Sequence, residues 1–217
     1  MCRWLYSKLG SCSLFSRKKH LLFFNIFQMN NVKKIDLDNV IIVLADLQPE
    51  IILAANKTIA EESLRKAVSV LIEGADILNI PVFLSGVALK AGVSPSPIEE
   101  LSKYTMVVRS TAGIFEDDSN LKVIKKYKRS SIVLGGVATE LAVIQAALGA
   151  LRNSYNVFLL TDVCGGLSDR TEQAAFRQLE KEGVILSSVP AFLSSLMPQI
   201  NDLQNKSLFA TLARFLG

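Results

Sequence analysis

The sequence predicts an α/β protein in three layers, with helices on both faces of a six-stranded parallel sheet. Three observations carry that expectation. From Val40 onward, short β-branched runs alternate with helix-length segments. The first run, residues 40–45, is apolar without a break, as in a strand covered on both faces. Asp46, Arg109, the turn at 135–141 and Asp162 each close a run, and sheets of this kind bind ligands beyond the carboxyl ends of their strands.

The elements follow in order. Val40-Ile41-Ile42-Val43-Leu44-Ala45 forms the first strand and ends at Asp46. Thr58 with Glu61 three residues on reads as a capping box, opening a helix that continues to about Asn79. Residues 81–84 and 105–108 are the next strands, the second ending at Arg109. Residues 131–134 lead through Gly135 and Gly136 into a helix from about Thr139 to Arg152. Residues 157–161 form a strand ending at Asp162, and Asp169 is placed to cap a helix reaching about Glu182. Residues 184–186 complete the sheet, and 203–216 read as a terminal amphipathic helix that packs on the core or on another subunit.

Charge divides the chain unevenly. The formal net charge is +4, but residues 1–28 hold five of the 24 bases and no acid, leaving 19 bases against 20 acids from Met29 onward. The basic balance belongs to the leader, so a nucleic-acid function loses its support. The expected organisation is a basic, aromatic extension at 1–28, a domain at 29–200 and a helix at 201–217. The extension is expected to be loosely packed. It reads as an upstream extension of the frame with Met29 as the start, or as a membrane-surface or targeting segment. No run of eighteen apolar residues occurs, so no membrane span is expected.

Residue chemistry narrows the classes further. The only His is His20, and Cys164 is the one cysteine beyond Cys12, so neither a metal nor any other cofactor is expected. A lone core cysteine points to a reducing, cytoplasmic setting. No G-x-G-x-x-G follows the first strand, where Asp46-Leu47-Gln48-Pro49 stands instead, so a dinucleotide site is not expected.

Residues 41–48, ending Ala-Asp-Leu-Gln, together with 107–115 (Val-Val-Arg-Ser-Thr-Ala-Gly-Ile-Phe) and 136–143 (Gly-Val-Ala-Thr-Glu-Leu-Ala-Val) resemble the isochorismatase-like superfamily. The turn at 136–143 is the specific part of the match, and Thr161-Asp162-Val163 with the run at 183–187 extends the likeness over roughly 38–195. The resemblance implies a Rossmann-like topology and a triad of aspartate, lysine and cysteine. In active relatives the thiolate, favoured near a helix start, attacks a carbonyl. It further implies a cis peptide at Val137-Ala138, with backbone N–H groups of Ala138 and Ala142 facing an oxyanion. Gln48, Val137, Ala138 and Thr139 take the substrate- and oxyanion-binding positions.

Two triad positions depart from the pattern. Asp46 is present, but Arg109 stands at the lysine position and Ala142 at the cysteine position. A methyl group cannot attack a carbonyl, and a guanidinium does not substitute for an ammonium. Cys164, beside Gly165 and Gly166, reads as a loop thiol outside the nucleophile turn. Two functions remain. One is a catalytically degenerate member that keeps a small-molecule pocket, with Asp46 and Arg109 as an ion pair. The other is a cysteine-independent hydrolase in which Asp46 is a general acid and Arg109 holds a substrate carboxylate. An ion pair favours the charged carboxylate, whereas a general acid must carry a proton, and this favours degeneracy. Homo-oligomerisation is what the resemblance implies for partners.

Overall fold

β1 (Val40–Ala45) is the axis of the sheet. All six of its residues are buried, because it pairs in parallel on both sides and is covered on both faces. The computed structural model describes residues 35–197 and 203–215. The expectation for residues 1–28 lies outside them, as does the last residue of the expected terminal helix.

The remaining strands are β2 (Val82–Gly86), β3 (Met106–Val108), β4 (Ser131–Val137), β5 (Asn156–Gly165) and β6 (Ile185–Ser187). Their order across the sheet is β3-β2-β1-β4-β5-β6, with every neighbour parallel. This is the three-layer α/β/α architecture expected from the sequence. The order in which strands are added reverses between β1 and β4, where ligand sites of doubly wound sheets form.

Alternate residues of β1 face opposite layers. Val40, Ile42 and Leu44 pack with α1 (Pro49–Ala55), α2 (Glu61–Leu78), α6 (Val189–Ser195) and α7 (Leu203–Ala213). Ile41, Val43 and Ala45 pack with α3 (Asp118–Lys126), α4 (Ile144–Arg152) and α5 (Asp169–Lys181). α2 buries Leu64, Ala67, Val68, Leu71, Ile72, Ala75 and Leu78, a 3–4 spacing that keeps one face on the sheet. It ends at Asn79, whose left-handed backbone (φ 55°) turns the chain back into β2.

Several local expectations fail for tertiary reasons. The capping box does not form: α2 begins at Glu61 after Ala60, and the Thr58 hydroxyl instead accepts from the Gly166 N–H at 2.8 Å. The cap of α5 is Ser168, which accepts from the Thr171 N–H, so Asp169 is the first helical residue. β5 does not end at Asp162 but continues to Gly165, because its register slips. Between the pairs Leu134–Leu159 and Gly136–Cys164, two steps of β4 face five of β5. Asp162 therefore lies within a strand, and both its carboxylate oxygens accept from the Val189 N–H at the start of α6. Burial pushes its carboxyl pKa up.

α3 has no counterpart among the elements expected from the sequence. Its cap, Asp117, accepts from the N–H groups of Ser119 (3.0 Å) and Asn120 (3.3 Å) and from the Ser119 hydroxyl. These bonds, the Ser119 hydroxyl first, lower the Asp117 carboxyl to about 2. A lowered carboxylate stabilises the fold above its ordinary value of about 4, and that contribution is lost as pH falls through about 2. The group is solvent-screened, so the cap is worth at most about 1 kcal/mol. Thermal melts from pH 5 downward are expected to fall more steeply for the wild type than for Asp117→Asn. Equal slopes would show that the cap is unpaired in solution.

α7 lies on α2. Leu208 is fully buried there, near Gly74, where an added methyl carbon would meet Leu193 at 2.7 Å and Leu208 at 3.2 Å. Thr211 and Arg214 both donate to the Glu73 carboxylate, at 2.8 and 2.7 Å.

Candidate active site

Asp46 directly follows β1 in a left-handed conformation (φ 55°), which asparagine and aspartate adopt more readily than most side chains. Its N–H donates to the Ser85 carbonyl at the end of β2. Arg109 directly follows β3, its own N–H donating to the Gly86 carbonyl. The two side chains meet across 63 residues of sequence. Nη1 donates to Oδ1 at 2.6 Å and Nη2 to Oδ2 at 2.5 Å, while Nε donates to the Thr111 carbonyl at 3.1 Å. Both residues are 5% exposed. The fork geometry matches two guanidinium donors to two carboxylate acceptors, an arrangement a lysine cannot make.

Gln48 caps the adjoining strand. Its Oε1 accepts from the Val87 N–H at 2.9 Å and its Nε2 donates to the Val87 carbonyl at 3.0 Å. The amide is thus held by backbone at both ends and fixes the exit of β2.

Gly136, the second-last residue of β4, has φ 145° and stands opposite Ala45, just before the turn. The Val137-Ala138 peptide is cis, as the resemblance implies. Residues Thr139–Val143 then form a single π-helical turn before α4. The Ala138 carbonyl accepts from the N–H groups of Leu141 (3.1 Å), Ala142 (3.1 Å) and Val143 (3.4 Å). The Ala142 amide is therefore directed into its own turn. The Thr139 hydroxyl, fully buried, donates to Glu172 at 2.7 Å. The Ala142 side chain packs in the apolar layer that contains Ala45, Phe83 and Ile114.

The fold thus joins Asp46 to Arg109 directly and sets the strand of Asp46 beside the strand that carries Val137. Gln48 and Thr139 are engaged elsewhere, with Val87 and Glu172. Cys164 is not the exposed loop thiol expected from its glycine neighbours. It is 1% exposed in β5, opposite Gly136, because β5 runs past it. Burial first, and then the nearby Glu172 carboxylate, push its thiol pKa up, so it remains a thiol rather than a thiolate.

Ser85 was not singled out by its sequence. It is fully buried on β2, its carbonyl holds the Asp46 N–H, and its hydroxyl has no hydrogen-bond partner. The available signal is a polar residue closing the apolar run 82–84. Among the described residues, no three His, Cys, Asp or Glu side chains are grouped to hold a metal ion.

Known proteins share this fold. The isochorismatase domain family matches residues 40–191. The chain is 27% identical over 106 residues to Isochorismatase family protein 2B of Dictyostelium discoideum, covering 48% of this chain and about half, 49%, of that protein. It is 23% identical over 158 residues to the Escherichia coli protein named "Probable hydrolase YcaC", covering 70% of this chain and 75% of that one. Among solved structures, YcaC from Pseudomonas aeruginosa superimposes with a TM-score of 0.77 at 19% identity, over 85% of this chain and 93% of its own. The Escherichia coli YcaC structure, described as an octameric hydrolase of unknown specificity, gives 0.74 at 21% identity, over 82% and 90%. With that family match covering most of the chain and the layered fold formed by the same residues, this chain belongs to the isochorismatase family.

Proposed function

We propose that the chain is a catalytically degenerate isochorismatase-family protein whose carboxyl-end site binds a small molecule without thiol chemistry. The observation that carries this reading is the buried two-point ion pair between Arg109 and Asp46. An aspartate held this way is an acceptor on both oxygens, whereas a base or acid in turnover must exchange a proton. At the nucleophile position Ala142 offers a methyl group, and the nearest sequence alternative, Cys164, is sealed in β5.

The test is a panel of amide, carbamoyl and vinyl-ether substrates offered to the wild type, Ala142→Cys and Asp46→Asn. No turnover by the wild type and a gain confined to Ala142→Cys is the expected result. Wild-type turnover abolished in Asp46→Asn would instead establish the cysteine-independent hydrolase with Asp46 as general acid.

We also propose that the protein is a cytoplasmic homo-oligomer. Leu53, Leu89, Val93, Leu141 and Leu167 are exposed in segments that follow the carboxyl ends of strands, and Val108 is the exposed last residue of β3. An apolar rim of this kind is a common mark of subunit contact. The octameric state described for the Escherichia coli YcaC structure is in keeping with it. Light scattering is expected to give a multiple of 23.8 kDa, and Leu141→Glu to lower it. A monomer in both would remove the proposal. Among the described residues no helix is long and apolar enough to cross a membrane.

A further inference from the structure

The edge of the sheet opposite the candidate site carries a second feature. Between Ser119 and Thr139 the chain has no acidic residue, yet Lys122, Lys125, Lys126, Lys128 and Arg129 fall within eight positions. These five residues occupy the second half of α3 and the turn into the amino end of β4. None takes part in an ion pair or side-chain hydrogen bond, although Arg65, Lys103, Arg109, Arg152 and Arg214 all do. Without these five bases, residues 29–217 hold 14 bases against 20 acids, so the positive charge of an otherwise acidic core sits at one corner.

We infer that this corner docks on an anionic lipid surface through Lys122, Lys125, Lys126, Lys128 and Arg129. The helix dipole accounts for bases in the last turn of α3, namely Lys125 and Lys126, but not for Lys122, one turn earlier, or for the two bases beyond the helix end. The nearest acids do not neutralise the group. The Ser130 N–H donates to the Asn39 carbonyl, which brings Asp36 and Asp38 to this edge. The Asp36 carboxylate is already engaged by the Asp38 N–H and the Asn39 amide, leaving Asp38, and Asp118 one turn before Lys122 on α3, against five cations.

Shape and residue type favour a lipid surface over a nucleic-acid strand. The bases sit on a helix end and a tight turn, where Lys128 is left-handed (φ 54°) and the Lys125–Lys128 stretch is exposed throughout. A corner meets a flat surface, whereas a single strand is held in a groove lined with stacking platforms. Four of the five bases are lysines, which act as point charges rather than as the planar forks that favour bidentate phosphate recognition. Tyr127, exposed between them, belongs to a residue type that rests at the headgroup level of a bilayer. Docked through this corner, the protein holds the carboxyl-end site on the opposite edge away from the lipid.

The experiment is co-sedimentation of the full chain with vesicles of phosphatidylcholine alone or with about 30% phosphatidylserine, at ~0.1 M salt. Binding is expected only to the anionic vesicles. Lys122→Gln/Lys125→Gln/Lys126→Gln should weaken it by at least about tenfold, since each base near such a surface contributes roughly fivefold. The three positions are exposed on a helix and Gln is a good helix former, so the fold is kept. The matching triple Lys→Arg variant should bind like the wild type. Equal binding by the Gln variant would overturn the proposal, because the leader bases Arg17, Lys18 and Lys19 would then carry the interaction. No vesicle binding, with a single-stranded RNA bound by the wild type and lost in the Gln variant, would overturn it in favour of nucleic acid.

Discussion

Arg109→Met is expected to destabilise the protein by about 3–5 kcal/mol, because it strands the Asp46 carboxylate in a buried site without its partner. For a chain of this size that corresponds to a fall in Tm of roughly 6–20 °C. The Asp46→Leu/Arg109→Met double variant is expected to recover much of the loss. Both charges then disappear together, and the desolvation cost that the ion pair offsets disappears with them. Calorimetry on the two single variants and the double variant closes the cycle. A single variant within 1 kcal/mol of wild type would mean that solvent reaches the pair. A large recovery in the double variant would also mark the pair as kept for the site rather than for stability.

Gly136→Ala is expected to destabilise by at least about 4 kcal/mol, enough to cost soluble expression. The backbone there has φ of 145°, which side-chain-bearing residues rarely adopt, and an added methyl carbon would lie 2.1 Å from the Ala45 carbonyl oxygen. The obstacle is strand backbone, which cannot turn aside as a flexible side chain can. This same close approach brings β4 against the residue preceding Asp46, so the substitution also displaces the candidate site. Near-native thermal stability in Gly136→Ala would show that β1 and β4 separate at this end without cost. Gly183→Ala provides the contrast, since Gly183 has a positive φ of 94° but open space around it.

Two strands and one thiol show how far the sequence was readable. β1 was legible because burial on both faces demands six consecutive apolar residues, and nothing local competes with that pattern. β5 was cut short at Asp162 because a polar pair, Thr161 and Asp162, normally ends a strand. A register slip against β4 carries it on to Gly165, and a slip is a property of two strands, not one. Cys164 followed from the same error: glycine neighbours suggest exposure, yet the extended strand seals it. The capping box at Thr58 and Glu61 failed for a similar reason, since the Thr58 hydroxyl found a tertiary donor in Gly166.

The amino-acid sequence by itself determined the layered α/β class and the turn at 136–143, and it placed alanine at 142 and arginine at 109. Those are properties of residue type and local spacing. Only the tertiary structure decided that Arg109 grips Asp46 at both oxygens, that Gln48 is taken up by Val87, and that the bases of residues 122–129 are left without acidic partners. Hydrogen-bond geometry and desolvation act between groups that the chain separates by tens of residues, and distance along a sequence does not measure distance in the fold.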